Sequence, residues 1–402
     1  MPPENTAALN EEPATLEELT SDGQGAGLEV EKADTSEGAI RVPFDPSKID
    51  VITQFRTVDL LLVRLREGEL DLSPEFQRRA NIWDESSKSS LIESMLLRIP
   101  IPSLYVSEDE KGDYTVVDGL QRLCAIAHFV DVAALNRAVK VALNPLRLTD
   151  LQSLGSYNGS TFAELPRPLQ RRISETELTL HIIRASTPED VKFNIFSRIN
   201  RGGLPLTAQE IRNAIYKGSW RDRVRELAQS PKFLGATEYK IKQERMEDME
   251  LVLRFMALYT LDDNRPDDQN LDDFLNDTVE TRCNRWSEDK WRNVEAAFYR
   301  ALSAAQKVFG RFAFRKYFGP NQYRRPINRS LFESETVLLA RRSDEELDVL
   351  ARRSDHVLAK LAELLTTNAD FDNALLYATG RGSSSNKRLE ILDAALNEVL
   401  NA

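Results

Sequence analysis

Tyr114-Thr-Val-Val-Asp118-Gly119-Leu120-Gln121-Arg122-Leu-Cys-Ala-Ile-Ala127 is the stretch on which the reading of this chain turns. Its first residues are β-branched and strand-like, a glycine turns the chain, and Leu123, Ala127 and Val130 then recur at helical spacing. A strand–turn–helix junction leaves the first N–H groups of the helix without intrahelical partners, so they form an anion site. Gly119 lets a phosphate approach the backbone closely. Arg122 offers a forked cation for phosphate oxygens. Asp118 suits a Mg²⁺ ligand or a base, and Gln121 suits a residue that orients water. The same residues also fit a plain helix start, with Asp118 as N-cap and Gln121 and Arg122 solvated in the first turn.

Working outward, Ser103–Ser107 and Tyr114–Val117 read as strands around the turn Asp109–Asp113. A helix is expected from Glu85 to Arg98, with Leu91, Ile92, Met95 and Leu96 as its apolar stripe, stopped by Ile99-Pro-Ile-Pro102. Thr57–Arg66 has helical spacing with Thr57 as N-cap, and Leu72–Arg79 reads as extended. Downstream, Ala138–Leu143 and Leu178–Ile183 are strand-like. Thr187-Pro-Glu-Asp190 opens a helix, the turn Asn200–Gly203 follows, and Thr207 with Glu210 forms a capping box ahead of Gly218. From about residue 221 apolar residues recur at helical intervals over 249–258, 291–308, 344–365 and 387–401. The fold class is therefore α/β (α+β), with a helical C-terminal domain. The expected divisions are an acidic disordered tail over 1–42, an α/β domain over 43–218 and a helical domain over 219–402.

The net charge of −11 speaks at first against nucleic acid. The first 42 residues carry ten acids against Lys32 and Arg41, so −8 of it sits in that tail and the body is nearly balanced. Gly310–Leu331 holds six cations and five aromatics with no acid. Basic charge supplies backbone affinity and rings stack on bases, so Arg311, Arg315, Lys316, Arg324 and Arg325 are the DNA-contact candidates. The alternative is an aromatic core with snorkelling cations. No apolar run reaches the ~18 residues of a membrane span. The acidic N-terminus does not resemble a secretory signal. Cys124 and Cys283 read as buried thiols, consistent with a reducing cytoplasm. His128 and His181 lie in apolar segments and read as core histidines. The three histidines and two cysteines make neither an H-N-H nuclease nor a zinc spacing.

One ordered series links these pieces: Phe76-Gln77-Arg78-Arg79 with Trp83, Leu91–Ser94, Ile99–Pro102, Asp118-Gly119-x-Gln121-Arg122, and Phe196-x-Arg198-Ile-Asn200-x-Gly-Gly running to Arg212. The series resembles the DGQQR-motif family, the N-terminal domain type of GmrSD-like modification-dependent restriction proteins, within the ParB/sulfiredoxin-like superfamily. The resemblance covers roughly residues 52–260. It implies a ParB/sulfiredoxin-like domain that binds a nucleoside triphosphate with Mg²⁺, in a protein acting on phage DNA by nucleotide hydrolysis and nicking. Carried onto this chain, the catalytic set is Asp118, Gln121 and Arg122, with Asp118 as metal ligand. Gln77, Arg78, Gly119, Arg198 and Asn200 are the nucleotide-binding set. The family's third motif residue is glutamine where this chain has Leu120. The second nuclease module of longer relatives has no counterpart, so cleavage falls to the 118–122 site or to a partner nuclease subunit. A sensing or regulatory subunit is the alternative function, and a homo-oligomer stays open.

Overall fold

The computed structural model describes residues 17–19, 25–30, 48–72, 83–199, 207–243, 245–262, 264–320, 322–376 and 381–402. The chain divides into two compact units. Residues 42–215 form one, and residues 1–41 together with 216–402 form the other.

The second unit opens with a hairpin of β1 (Glu17–Leu19) and β2 (Gly25–Glu29). These residues were expected to lie in a disordered tail, and they are strands instead. Ala26 and Leu28 are buried, which explains why so short a segment folds. Glu29 N donates to Ile327 O at 2.8 Å, Ile327 N to Gly27 O at 3.1 Å, and Lys242 N to Ala26 O at 3.2 Å. Gly27 is obligatory in this stitch: its φ is +81° and a Cβ there would stand 2.1 Å from Lys240 O.

The α/β unit is built on a five-stranded mixed sheet. Its strands are β3 (Val51–Thr57), β4 (Leu70–Asp71), β5 (Leu104–Glu108), β6 (Tyr114–Asp118) and β7 (Glu177–Ile183), in the spatial order β3-β7-β5-β6-β4. β3 runs antiparallel to β7 and β5 antiparallel to β6, whereas β5–β7 and β4–β6 are parallel. Strand alternation puts Leu104, Val106, Tyr114, Val116, Leu178, Leu180 and Ile182 on one face. Five helices share that core: α1 (Val58–Glu67), α2 (Glu85–Leu96), α3 (Leu120–Val130), α4 (Val132–Val139) and α5 (Arg167–Ser174). Each fully buried aliphatic side chain there contributes about 1.5–3 kcal/mol. Two more helices, α6 (Glu189–Ile199) and α7 (Ala208–Ile215), complete the unit.

Local signals explain most of these elements. Thr57 Oγ1 accepts from Leu60 N as the α1 cap, and Asp84 caps α2 through Ser87 N. Thr207 and Glu210 form the capping box, with bonds of 2.7 and 3.2 Å. One expectation fails. Ala138–Leu143 was read as a strand, yet Ala138 and Val139 end α4 and Lys140 takes a left-handed φ of 50°. Asn136 then closes the turn through both backbone-facing amide bonds to Leu143.

The remaining helices are α8 (Trp220–Ala228), α9 (Pro231–Ala236), α10 (Glu247–Tyr259), α11 (Leu271–Asp277), α12 (Glu288–Val308), α13 (Arg329–Arg341), α14 (Asp344–Arg352), α15 (Ser354–Thr367), α16 (Ala369–Leu376) and α17 (Gly382–Asn401). α13 is the spine of this unit, buried from Arg329 to Ala340. Phe233, Phe298, Phe314 and Phe332 stack or meet edge-on around it. Both cysteines are buried free thiols, as expected. Among the described residues, no helix is long and apolar enough to cross a membrane.

Candidate functional site

At the carboxyl end of β6 the chain turns through Gly119 at φ +91° and enters α3. The positive φ favours glycine, and a Cβ here would also lie 2.1 Å from the Leu104 Cδ2 methyl, which would have to shift. Gly119 is the N-cap of α3, and no side-chain cap bond is made there. Asp118 is therefore not the helix cap.

Arg122 is the organising side chain of the loop. Its Nη2 donates to Asp118 Oδ2 at 2.9 Å, and its Nη1 donates to Pro102 O at 2.6 Å and Ser103 O at 3.0 Å. The arginine thus ties α3 to the entry of β5 and aims the Asp118 carboxylate. The side chain of Asp118 is 36% exposed against 15% for Arg122, so the carboxylate is the more accessible of the pair. Gln121 is half-buried, with its amide oxygen closed off from solvent. Leu120, standing where the family has glutamine, packs against the apolar core.

Sequence reasoning missed a neighbouring feature. The strand register lines up Thr53, His181, Tyr105 and Asp118 across β3, β7, β5 and β6. Thr53 Oγ1 and His181 Nδ1 are 2.9 Å apart, and the His181 and Tyr105 rings lie 4.6 Å apart at 32°. His181 is half-exposed, not the core histidine expected. The signal was present: period-two alternation in Glu177–Ile183 puts His181 opposite the face of Leu178, Leu180 and Ile182. His128 does fit the core reading. Its Nε2 lies 2.8 Å from Asn144 O, and burial pulls its pKa below the ordinary histidine range. Cys124 beside it is pushed up to about 12 by burial, so it is a thiol and not a nucleophile.

The other sequence candidates separate. Arg198 is exposed in the last turn of α6. Gln77, Arg78 and Asn200 lie outside the described residues.

The basic segment requires correction. Arg315, Lys316 and Arg325 are buried, each under 10% exposed, and do not form a surface for DNA. The charge of Arg315 and Lys316 is met by acids far away in sequence. Lys316 Nζ lies 3.1 Å from Glu29 and 3.8 Å from Asp372, and Arg315 pairs with Glu238 at 3.7 Å. Burial pulls the Arg315 guanidinium down to about 10. Arg325 stacks over the Phe318 ring at 4.7 Å. Arg324 bonds Arg311 O and pairs with Glu238, while Arg311 lies over Phe312 at 4.8 Å and is exposed. Arg329 joins the same scheme through Glu18 at 2.7 Å. Two of the acids come from the hairpin β1–β2, so the acidic beginning of the chain neutralises the basic segment.

Residues 61–217 match the family described as the N-terminal domain of the GmrSD restriction endonuclease. The match runs from within α1 to just beyond α7 and includes the whole 118–122 loop. No curated protein matches the chain, and no solved structure does. The GmrSD-like match covers four of the five strands of the mixed sheet and the loop at its end, and a helical region follows it in the chain.

Mg²⁺ can be weighed against the residues present. Among the described residues no group of three or more His, Cys, Asp or Glu is arranged to hold a metal. Mg²⁺ commonly binds through one or two carboxylates plus substrate phosphates and waters. A single accessible Asp118 fits an ion that arrives with a triphosphate.

Proposed function

We propose that this is a restriction-type protein acting on DNA, in which the GmrSD-like domain binds a nucleoside triphosphate at the Asp118–Arg122 loop and hydrolyses it. The observation that carries the reading is an accessible carboxylate, Asp118, held at 2.9 Å by Arg122 beside a helix start with no side-chain cap. Phosphate oxygens meet the first amides of α3, and Gly119 keeps the approach clear. Asp118 is the carboxylate that would hold Mg²⁺, which when bound with the nucleotide supplies charge neutralisation. Arg122 fixes Asp118 in position. Gln77, Arg78, Arg198 and Asn200 belong to the same proposal as nucleotide contacts. Nicking of DNA by this site, or by a partner nuclease subunit, belongs to it as well.

A second reading is favoured by one contact pattern. The Arg122 fork is turned onto two backbone carbonyls and Asp118, so it stabilises the loop more than it reaches outward. That suits a nucleotide-sensing subunit that binds without turnover. Phosphate release from ATP, GTP and CTP with Mg²⁺, with and without DNA, separates the two. Asp118→Asn is expected to abolish release while leaving the unfolding midpoint close to wild type, because Asp118 caps no helix. Saturable nucleotide binding without release in the wild type would select the sensor. Absence of binding in the wild type would defeat both.

A further inference from the structure

One concave feature of the α/β unit lies between the C-terminal end of α2 and α5, and none of residues 118–122 lines it. It is an open groove of about 1030 Å³. Small-molecule pockets usually span about 300–1,000 Å³, so this groove lies at the upper limit of that range. Arg98, Arg167, Arg171 and Arg172 line it against Glu175 and Glu177, a net +2. Arg171 is committed to Glu175 at 2.8 Å and Arg172 to Leu96 O at 2.7 Å. Arg98 and Arg167 are exposed, and neither makes an ion pair or a side-chain hydrogen bond among the described residues. Arg98 sits at a left-handed φ of 64°, unusual for a non-glycine residue. Ile99, Ile101 and Phe162 supply an apolar lining, and Ile99 is 52% exposed.

We infer that this groove holds a single strand of DNA, gripped through its phosphates by Arg98 and Arg167, with base faces resting on Ile99, Ile101 and Phe162. The inference rests on the DNA-acting reading of the protein and gives that reading a surface. Guanidinium forks match phosphate oxygens, and an apolar lining tolerates any base because every base presents a flat face. The segment Ile99–Ser103 also connects the groove to the nucleotide loop. Ile99–Ile101 line the groove, and Arg122 grips the carbonyls of Pro102 and Ser103.

The test is fluorescence anisotropy of a labelled twelve-residue oligo-dT with the full chain across a salt series, without nucleotide. The double variant Arg98→Asn, Arg167→Gln is compared with wild type and with Arg137→Gln, an exposed arginine outside the groove. Asparagine at 98 tolerates the left-handed backbone. The double variant is expected to bind about tenfold more weakly, with a salt slope shallower by about 1.4 for the two lost phosphate contacts. Arg137→Gln should match wild type, and all three proteins should bind nucleotide equally in the absence of DNA. Unchanged affinity and slope in the double variant would overturn the groove while leaving the DNA reading intact. Equal, arginine-dependent binding of a duplex, or of polyglutamate, would overturn the single-strand assignment. Absence of DNA binding by the wild type would overturn the groove and the DNA reading together, and the nucleotide site would still stand or fall on its own assay.

Discussion

Residues 311–329 and the α2–α5 groove both concentrate cations, and they use them in opposite ways. In the first, six cations crowd one stretch of sequence, yet Arg315, Lys316, Arg325 and Arg329 are buried and engaged by Glu29, Glu238, Glu18 and an aromatic ring. In the second, an arginine just past the end of α2 and three from α5 converge in space, and three of the four are exposed. A dense run of like charge tells that counter-charges are needed, but not whether the protein or a ligand provides them. Burial of charge is costly unless it is paired, so distant acids are the deciding information.

The sharpest way to break this comparison is Lys316→Ala. It leaves Glu29 buried beside a lost cation and should destabilise the protein by about 3–5 kcal/mol in urea unfolding. DNA affinity of the remaining folded protein should stay at the wild-type value. Weaker DNA binding with unchanged stability would return residues 311–329 to the DNA surface. Next in size is Glu93→Ala. Burial alone would raise the pKa of Glu93, but the backbone N–H groups of Leu154, Ser153 and Gln152 donate to its carboxylate and hold it below the usual range. Removing that acceptor should cost about 2–3 kcal/mol at pH 7. A depressed folded pKa gives stability above the unfolded value of about 4.3 and loses it as pH falls through the folded one. The gap between wild type and Glu93→Ala should therefore shrink below about pH 4.

The groove variant described above comes third, since a tenfold change in affinity is about 1.4 kcal/mol. Glu335→Gln should give the smallest effect. Burial pushes the Glu335 carboxyl well above the usual range, against the opposing influence of Phe314 N, which donates to it at 2.8 Å, and of Arg315. A raised folded pKa means stability is full below about pH 4.3 and declines as pH climbs toward the folded value. Glutamine keeps an acceptor for Phe314 N and removes the titration. The variant should match wild type near pH 4 and exceed it by about 1 kcal/mol at pH 8, measured by denaturant midpoints.

How far the molecule was legible in its sequence depended on the range of the interactions. The loop at 118–122, the cap at Thr57 and the Thr207–Glu210 box rest on bonds between residues a few positions apart, and all could be read directly. Ala138–Leu143 was misread because its apolar residues fit a strand as well as the end of a helix, and the Asn136 bonds that choose between them are side-chain specific. The hairpin β1–β2 was invisible because Ala26 and Leu28 are too few to signal a strand without the backbone of Ile327 and Lys242 that pairs with them. The row Thr53–His181–Tyr105–Asp118 needs the spatial order of the strands, which no local pattern encodes. The inward turn of Arg122 onto Pro102 and Ser103 required knowing that β5 begins beside the loop.

The stitch between Gly25–Glu29 and Ile327 has a consequence for how the chain matures. Its two sides are separated by the entire α/β unit, which makes that unit an insertion within the helical one. A ribosome delivers the hairpin first and its partner strand-end some three hundred residues later. The α/β insert can complete its sheet in the interval, whereas Glu18 and Glu29 must wait, charged and solvated, until Lys316 and Arg329 emerge. Folding of the helical unit is thereby scheduled last, and a chain released early would carry a finished sheet domain beside an acidic arm with nothing yet to hold it.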